Sequence, residues 1–225
     1  MEEKYPCPKM TPKQWIANVW YYHKWMILFG VIVIAFISIC VVQFASKSEA
    51  DAGILIVSGT PLKDSDCAAI VSSSEKIVAD LNGDGEVSVL INAITLYSDL
   101  NKLDQLERDQ AQEDYRQYSN EILSGDLCIL ILDEYFYREL ADNGNLVNLQ
   151  GIFDEMPKAA FDYYGLRLGE TPLYQMEGFS KLSPDMVLCL KHTPVVSGMS
   201  DQQRTELDIN NVDTFRSFYL GEITH

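Results

Sequence analysis

Apolar positions along the chain fall into three kinds of run, and each predicts a different element. The longest is MILFGVIVIAFISICVVQFA, from Met26 to Ala45, with no charge and only Ser38 and Gln43 clearly polar over 20 residues. At about 1.5 Å per residue a helix of that length reaches ~30 Å, the thickness of a bilayer's hydrocarbon layer. It predicts a transmembrane helix, longer than the apolar region of a cleaved signal. The small-x-small site Ser48-Glu49-Ala50 just downstream keeps cleavage open as the alternative. Shorter continuous runs, AGILIVSG at 52–59 and DLCILILD at 126–133, are bounded by turn residues and predict buried strands.

The third kind is periodic. In TPLKDSDCAAIVSSSEKIVADL, Cys67, Ile70, Val71, Ile77, Val78 and Leu81 share one helical face, with Thr60 as cap and Pro61 opening the helix. EVSVLINAITL alternates Val87, Val89 and Ile91 against Glu86, Ser88 and Leu90, which predicts a strand. A polar helix is expected over 99–123, a short helix in EYFYRELADNG ending at Gly144, and a broken helical stretch near 151–163. Strands are expected at 166–174 and 185–192, and a last helix in TFRSFYLG. Strands alternating with helices, two of the strands apolar throughout, predict an α/β fold: one sandwich domain with a mostly parallel or mixed central sheet.

The flanks of the apolar run predict its direction. Lys4, Lys9, Lys13 and Lys24 precede it, whereas Lys47, Glu49 and Asp51 follow. The positive-inside rule then keeps the N-terminus in the cytoplasm and exports the rest. The expected organisation is a cytoplasmic amphipathic segment at 1–25, the transmembrane helix at 26–45, a spacer at 46–51 and an extracytoplasmic α/β domain at 52–225. In the first segment TPKQ offers Thr11 as N-cap, Pro12 at the first helical position and Gln14 at the third. WYYHKW, which includes His23, brings to the bilayer edge the aromatic and basic side chains that favour that interface.

Charge sharpens this picture. The whole chain carries −16. With Lys4, Lys9, Lys13, Lys24, Glu2 and Glu3 set aside, 13 basic and 31 acidic residues remain, a net −18 for the expected exported part. Such a surface opposes nucleic-acid binding and attracts cations or basic partners. Of the five cysteines, Cys7 is placed in the cytoplasm and Cys40 in the membrane. Cys67, Cys128 and Cys189 lie on regular elements and read as small buried hydrophobes; whether any two of them pair is left open.

Two groups carry candidate chemistry. DLNGDGEVSVLIN begins as a calcium loop does, with Asp80, Asn82 and Asp84 alternating before Gly85 and then Glu86. Its twelfth position is Ile91, not the bidentate carboxylate an EF-hand needs. A helix-to-strand turn is therefore the reading, with a low-affinity open calcium site at Asp80, Asn82, Asp84 and Glu86 as the alternative. The second group stands at the expected carboxyl ends of the strands, where α/β sheets bind ligands: Asp133, Tyr135 and Tyr137, near SGTP and residues 96–99. Asp133 is also read as a helix cap. His192, at a strand end, reads as a surface histidine, and SGMSD lacks the second glycine of a nucleophile elbow. No phosphate-binding glycine loop occurs, so no enzyme and no cofactor is expected.

WYYHKW before one span, then DLNGDGEVSVLIN and DLCILILDEYFY, resembles a group of uncharacterised single-pass membrane proteins of Firmicutes. In outline the exported part is also similar to one lobe of an extracytoplasmic solute-binding protein. The expected function is a membrane-anchored, non-catalytic extracytoplasmic binding or protein-interaction module, held in the bilayer by Met26 to Ala45 and facing an envelope or membrane protein. The solute-binding resemblance implies a lobe serving a transporter, with a pocket lined by Tyr135 and Tyr137. A calcium-dependent adhesion module and a metal-dependent hydrolase using Asp133 and Glu134 are the further alternatives.

Overall fold

The computed structural model describes residues 11–45, 50–100, 103–124, 127–193 and 199–223. Lys4, Cys7, Lys9, the Ser48-Glu49 pair and Ser197-Gly198 of SGMSD lie outside them. The chain divides into two compact units, Met1–Ser48 and Glu49–His225.

Among its described residues the first unit has one helix, α1 (Pro12–Ala45), which begins at the proline that TPKQ predicts for the first helical position. It runs unbroken through the aromatic stretch into the apolar one. Within it Trp20–Ile39 is long and apolar enough to cross a membrane, with mean hydropathy 1.9 and none of it buried. Trp25, Phe29, Ile34 and Phe36 are all exposed. Ser38 donates its hydroxyl back to the Ile34 carbonyl at 2.8 Å, so this polar group is satisfied within the helix, as an apolar solvent requires.

The second unit is built on β1 (Ala52–Ser58), α2 (Asp64–Ser74), β2 (Val89–Thr95), α3 (Gln105–Ser124), β3 (Ile129–Leu132), α4 (Glu134–Asp142), β4 (Gly165–Arg167), β5 (Val187–Leu190) and α5 (Asp201–Leu220). The five strands form one mixed sheet in the order β2-β1-β3-β5-β4. β1 pairs parallel with both β2 and β3, whereas β5 runs antiparallel to β3 and to β4. The expected α/β class is observed, in its mixed form.

The chain leaves β1 towards β2 on one side and returns across it to β3 on the other. Right-handed crossovers in opposite directions land on opposite faces of a sheet. Accordingly Ile54 and Ile56 of β1 pack with Ile70 of α2 and with Phe215 and Phe218 of α5. Leu55 and Val57 face the other way, towards Tyr118 of α3 and Phe136, Tyr137 and Leu140 of α4. β3 and β5 are buried at every residue, which explains their continuous apolar runs. The same alternation separates Cys128 from Cys189, which lie in cores on opposite faces; among the described residues neither they nor Cys67 forms a disulfide.

Several element boundaries differ from expectation, each for a local reason. α2 starts at Asp64 with Lys63 at the cap position. Pro61 restricts Thr60 to extended backbone, and Asp64 and Asp66 fill the first turn, where the helix dipole favours acids. The helix ends at Ser74, and Ile77 and Val78 reach the core from the turn that follows, their amides on the Ser74 carbonyl. α3 begins at Gln105 because Asp104 and Glu107 form a reciprocal cap, each side chain accepting the other's amide at 2.9 Å.

The strand expected at 166–174 stops at Arg167. Gly169 crosses so close to Pro184 that an added Cβ would lie 2.6 Å from its side chain, and Pro172 opens a 3-10 turn. α5 is longer than expected: Ser200 and Gln203 make a complete capping box, and Gly221 closes the helix at φ 71°. Gly144, at φ 69°, stops α4 as expected. At the far end of α3, the buried Lys191 donates to the Glu121 and Ile122 carbonyls at 3.2 and 3.0 Å, satisfying groups that a helix terminus leaves unpaired.

Candidate functional site

β1, β2 and β3 are parallel, so their carboxyl ends emerge together, at the place where the chain reverses its direction of winding across the sheet. Backbone bonds hold these ends in register: Leu96 donates to the Ser58 carbonyl at 3.0 Å and Asp133 to the Val57 carbonyl at 2.9 Å. The Asp133 side chain adds a third link, accepting the Gly59 amide on Oδ2 at 2.6 Å. Asp133 stands at the cap position of α4 but makes no side-chain bond to that helix. The expected capping role is corrected: its carboxylate serves the neighbouring loop.

Two adjoining hollows open over these ends, of about 350 and 330 Å³. Leu96, Tyr97, Ser98, Tyr135 and Phe136 line both, making them one groove with a shared aromatic waist. One half extends under α3 and α4 to Tyr115 and Glu139. The other reaches Gly59, Asp99 and Asp133. Tyr97, Leu100, Tyr115 and Tyr135 are exposed; Tyr135 leaves 58% of its surface to solvent.

The rings are braced from behind. Tyr135 meets Phe136 edge-on with centroids 5.1 Å apart, and Phe136 meets Tyr118 at 5.9 Å. Tyr115 donates its hydroxyl to Glu139 Oε1 at 3.3 Å, joining the two helices across the groove. Partial burial, then the Glu139 carboxylate, pushes the Tyr115 phenol above its ordinary range, so it remains a neutral donor. Among the described residues that line the groove the carboxylates are Asp99, Asp133 and Glu139, and none is lysine or arginine.

Of the expected site residues, Asp133 and Tyr135 meet here and Tyr137 does not. α4 turns Tyr135 outwards and Phe136, Tyr137 and Leu140 inwards. Tyr137 is fully buried and donates its hydroxyl to Asp162, which also accepts the Tyr164 amide at 2.8 Å. Burial first, and then Asp162, hold that phenol protonated far above its usual range. Tyr97, from the 96–99 segment expected at this edge, completes the site together with Tyr115 and Glu139, which were not expected from sequence. A readable signal existed: Ala111, Tyr115, Tyr118 and Ile122 recur at spacings of four, three and four along the otherwise polar α3.

The glycine loop lies apart from this groove in composition and construction. Asp80 accepts the Gly83 amide on Oδ1 at 2.7 Å and the Gly85 amide on Oδ2 at 2.9 Å. Asn82 and Asp84 accept the amides of Asp84 and Glu86 at 2.8 and 2.9 Å. Asp51 braces the loop from beneath, accepting from Leu81, Asn82 and Ser88. Gly83 and Gly85 take φ values of 72° and 88°, the conformation that successive turns demand. No group of three or more His, Cys, Asp or Glu able to hold a metal ion occurs among the described residues. His192 is exposed, its amide on the Asn145 carbonyl at 3.1 Å.

Fold and site together define an α/β protein with a mixed five-stranded sheet, an N-terminal apolar helix and an aromatic groove over the sheet's carboxyl edge. No family model, curated protein or solved structure matches this chain.

Proposed function

We propose that this chain is a membrane-anchored, non-catalytic binding module whose α/β domain stands outside the cytoplasm and captures its ligand in the groove at the sheet's carboxyl edge. The observation that carries this reading is the convergence of exposed Tyr97, Tyr115 and Tyr135 on one concavity. Exposed rings that line a hollow are costly to leave wet and are well suited to an apolar or cationic surface. α1 supplies the anchor, with its N-terminus in the cytoplasm by the lysine bias of the flank. The partner would then be an envelope or membrane component.

A second reading, a solute-binding lobe associated with a transporter, is favoured by groove size. Its larger half, about 350 Å³, falls within the range of small-molecule sites, roughly 300–1,000 Å³.

Two measurements test the proposal. Protease added to intact cells should digest the domain while sparing the N-terminal segment. Native mass spectrometry of the full chain, extracted from its own membranes, should reveal a bound molecule or partner that Tyr135→Ala no longer carries. A protected domain would overturn the topology. A cargo that survives Tyr135→Ala, or its complete absence, would overturn the groove as the binding surface.

A further inference from the structure

We infer that the groove's ligand is a linear organic polycation, an alkyl chain bearing an amino group towards each end, of the polyamine class. The inference rests on the binding-module reading and names the chemistry its site selects.

The groove has a charge order as well as a shape. Glu139 lies in one half, Asp99 and Asp133 lie in the other, and Tyr97, Tyr135 and Phe136 form the waist between them. A ligand complementary to that order is positive at both ends and apolar in the middle. Methylene groups between aromatic walls are removed from water without loss of hydrogen bonds. Ammonium groups beyond the walls meet carboxylates and the faces of phenol rings, which attract cations through the ring quadrupole.

The donors and acceptors agree. Glu139 is held by the Tyr115 hydroxyl, and Asp133 by the Gly59 amide. Each carboxylate is thus oriented by a neutral donor, and no described basic residue pairs with either. Arg138, the nearest basic residue in sequence to this pair, is committed to Glu134 at 2.7 Å and stacks over the Phe161 ring at 5.2 Å. The field of the whole domain acts in the same direction, since an excess of acidic residues steers cations to any concave acidic site.

An anionic solute would find no basic partner among the described lining residues, and a neutral sugar would use the carboxylates only as hydroxyl acceptors, leaving their charge uncompensated. A compact metal cation would not use the waist. A monoamine would satisfy only one end.

The test is titration calorimetry on the full chain in nanodiscs of neutral lipid, with spermidine, 1,4-diaminobutane, butylamine, a Lys-Ala-Lys peptide and magnesium as probes. Spermidine should bind at micromolar concentration, and butylamine about tenfold or more weaker than the diamine, because one end is unmatched. Glu139→Gln and Asp133→Asn keep an acceptor for Tyr115 and Gly59, so folding is retained, and each should weaken spermidine about tenfold. Tyr135→Ala, at an exposed ring, should do likewise, and raised salt should weaken the wild type more steeply than either carboxylate variant. Equal binding by all three variants, or magnesium competing as well as spermidine, would overturn the inference. So would tighter binding of the peptide than of spermidine, although the binding-module reading would survive that result. No binding of any probe, alongside a Tyr135-dependent cargo in the native mass spectrum, would likewise reject the polyamine and leave the module intact.

Discussion

The Asp133 carboxylate holds the Gly59 amide at 2.6 Å, a bond between residues 74 positions apart that ties the loop after β1 to the start of α4. It sets the floor of one half of the groove, because both residues line it. A charged acceptor on a backbone amide contributes more than a neutral one, but this pair is solvent-accessible. Asp133→Ala should therefore cost about 1–2 kcal/mol, and Asp133→Asn, which keeps an acceptor, less than about 1 kcal/mol. Urea denaturation of the two variants side by side checks the order. Equal losses would mean that the bond is structurally idle.

Tyr118 offers a prediction of opposite sign. Its ring is packed between Tyr115 and Phe136, and its hydroxyl is buried with no hydrogen-bond partner. Burial, and after it the charge of Glu139, raises the phenol pKa well beyond the ordinary range, so the group is neutral at any physiological pH. Removing an unsatisfied hydroxyl removes its desolvation cost while keeping the ring. Tyr118→Phe should leave stability unchanged or raise it by about 1 kcal/mol, read as a higher Tm. A loss of similar size would show that the hydroxyl has a partner in solution.

The contrast between Tyr135, Phe136 and Tyr137 explains what could be read from the chain alone. Three consecutive aromatics after a strand mark the carboxyl edge correctly, and the apolar runs of β1 and β3 locate that edge. Which ring faces the groove depends on where α4 begins, since successive helical residues differ by about 100° in direction. One residue of uncertainty in that start decides between Tyr135 and Tyr137. Tyr115 was hidden differently: α3 had to cross the sheet before its tyrosine met Glu139, and charge along the helix masked the 111–115–118–122 stripe. The β5 reversal depends on pairing between segments distant in sequence, which periodicity does not encode. β4 is too short, at three residues, to show a period.

Three glycines should separate steric from conformational constraint. A Cβ on Gly165 would sit 2.4 Å from Val187 Cγ1 and 2.7 Å from the Tyr137 ring, and one on Gly178 would sit 2.6 Å from the Ile70 backbone nitrogen. Gly178 also has φ 87°. Gly83 shares the positive φ but has nothing within 4 Å of the added atom. Alanine at 165 or 178 should cost about 3 kcal/mol or more, and alanine at 83 about 1 kcal/mol. Thermal unfolding of the three variants measures the gap, and a comparable cost at Gly83 would contradict the open surroundings.

Thiol reactivity should follow burial and local charge. Cys128 and Cys189 are buried, and burial pushes the Cys189 thiol far up. Cys67 is half-buried on α2, and its pKa is raised by burial first and then by Asp64 and Asp66. A raised thiol pKa means less thiolate at neutral pH, and thiolate is the species that reacts. Iodoacetamide should label Cys67 slowly at pH 7 and faster with each step upwards, with no plateau before about pH 9. Neutralising both neighbours with Asp64→Asn and Asp66→Asn should raise the rate at pH 8. Peptide mapping should find Cys128 and Cys189 unlabelled until denaturant is added; early labelling at either would place it outside the core.

The anchor can be tested at the centre of the apolar window. Val33 is exposed on α1, within the Trp20–Ile39 window, of which none is buried. A solvent of lipid tails would accept such side chains, whereas water would not. An arginine placed there would face hydrocarbon at the depth where it is hardest to hydrate, at a cost of about 2.5–3.5 kcal/mol by insertion scales. Val33→Arg should reduce the fraction of chain that resists alkaline carbonate extraction, while Thr11→Arg, outside the window, should not. If both variants stay with the membrane as the wild type does, the attachment comes from elsewhere than α1. If the unaltered chain is itself extracted, α1 does not span the bilayer, and the lysine bias no longer argues which side the groove faces.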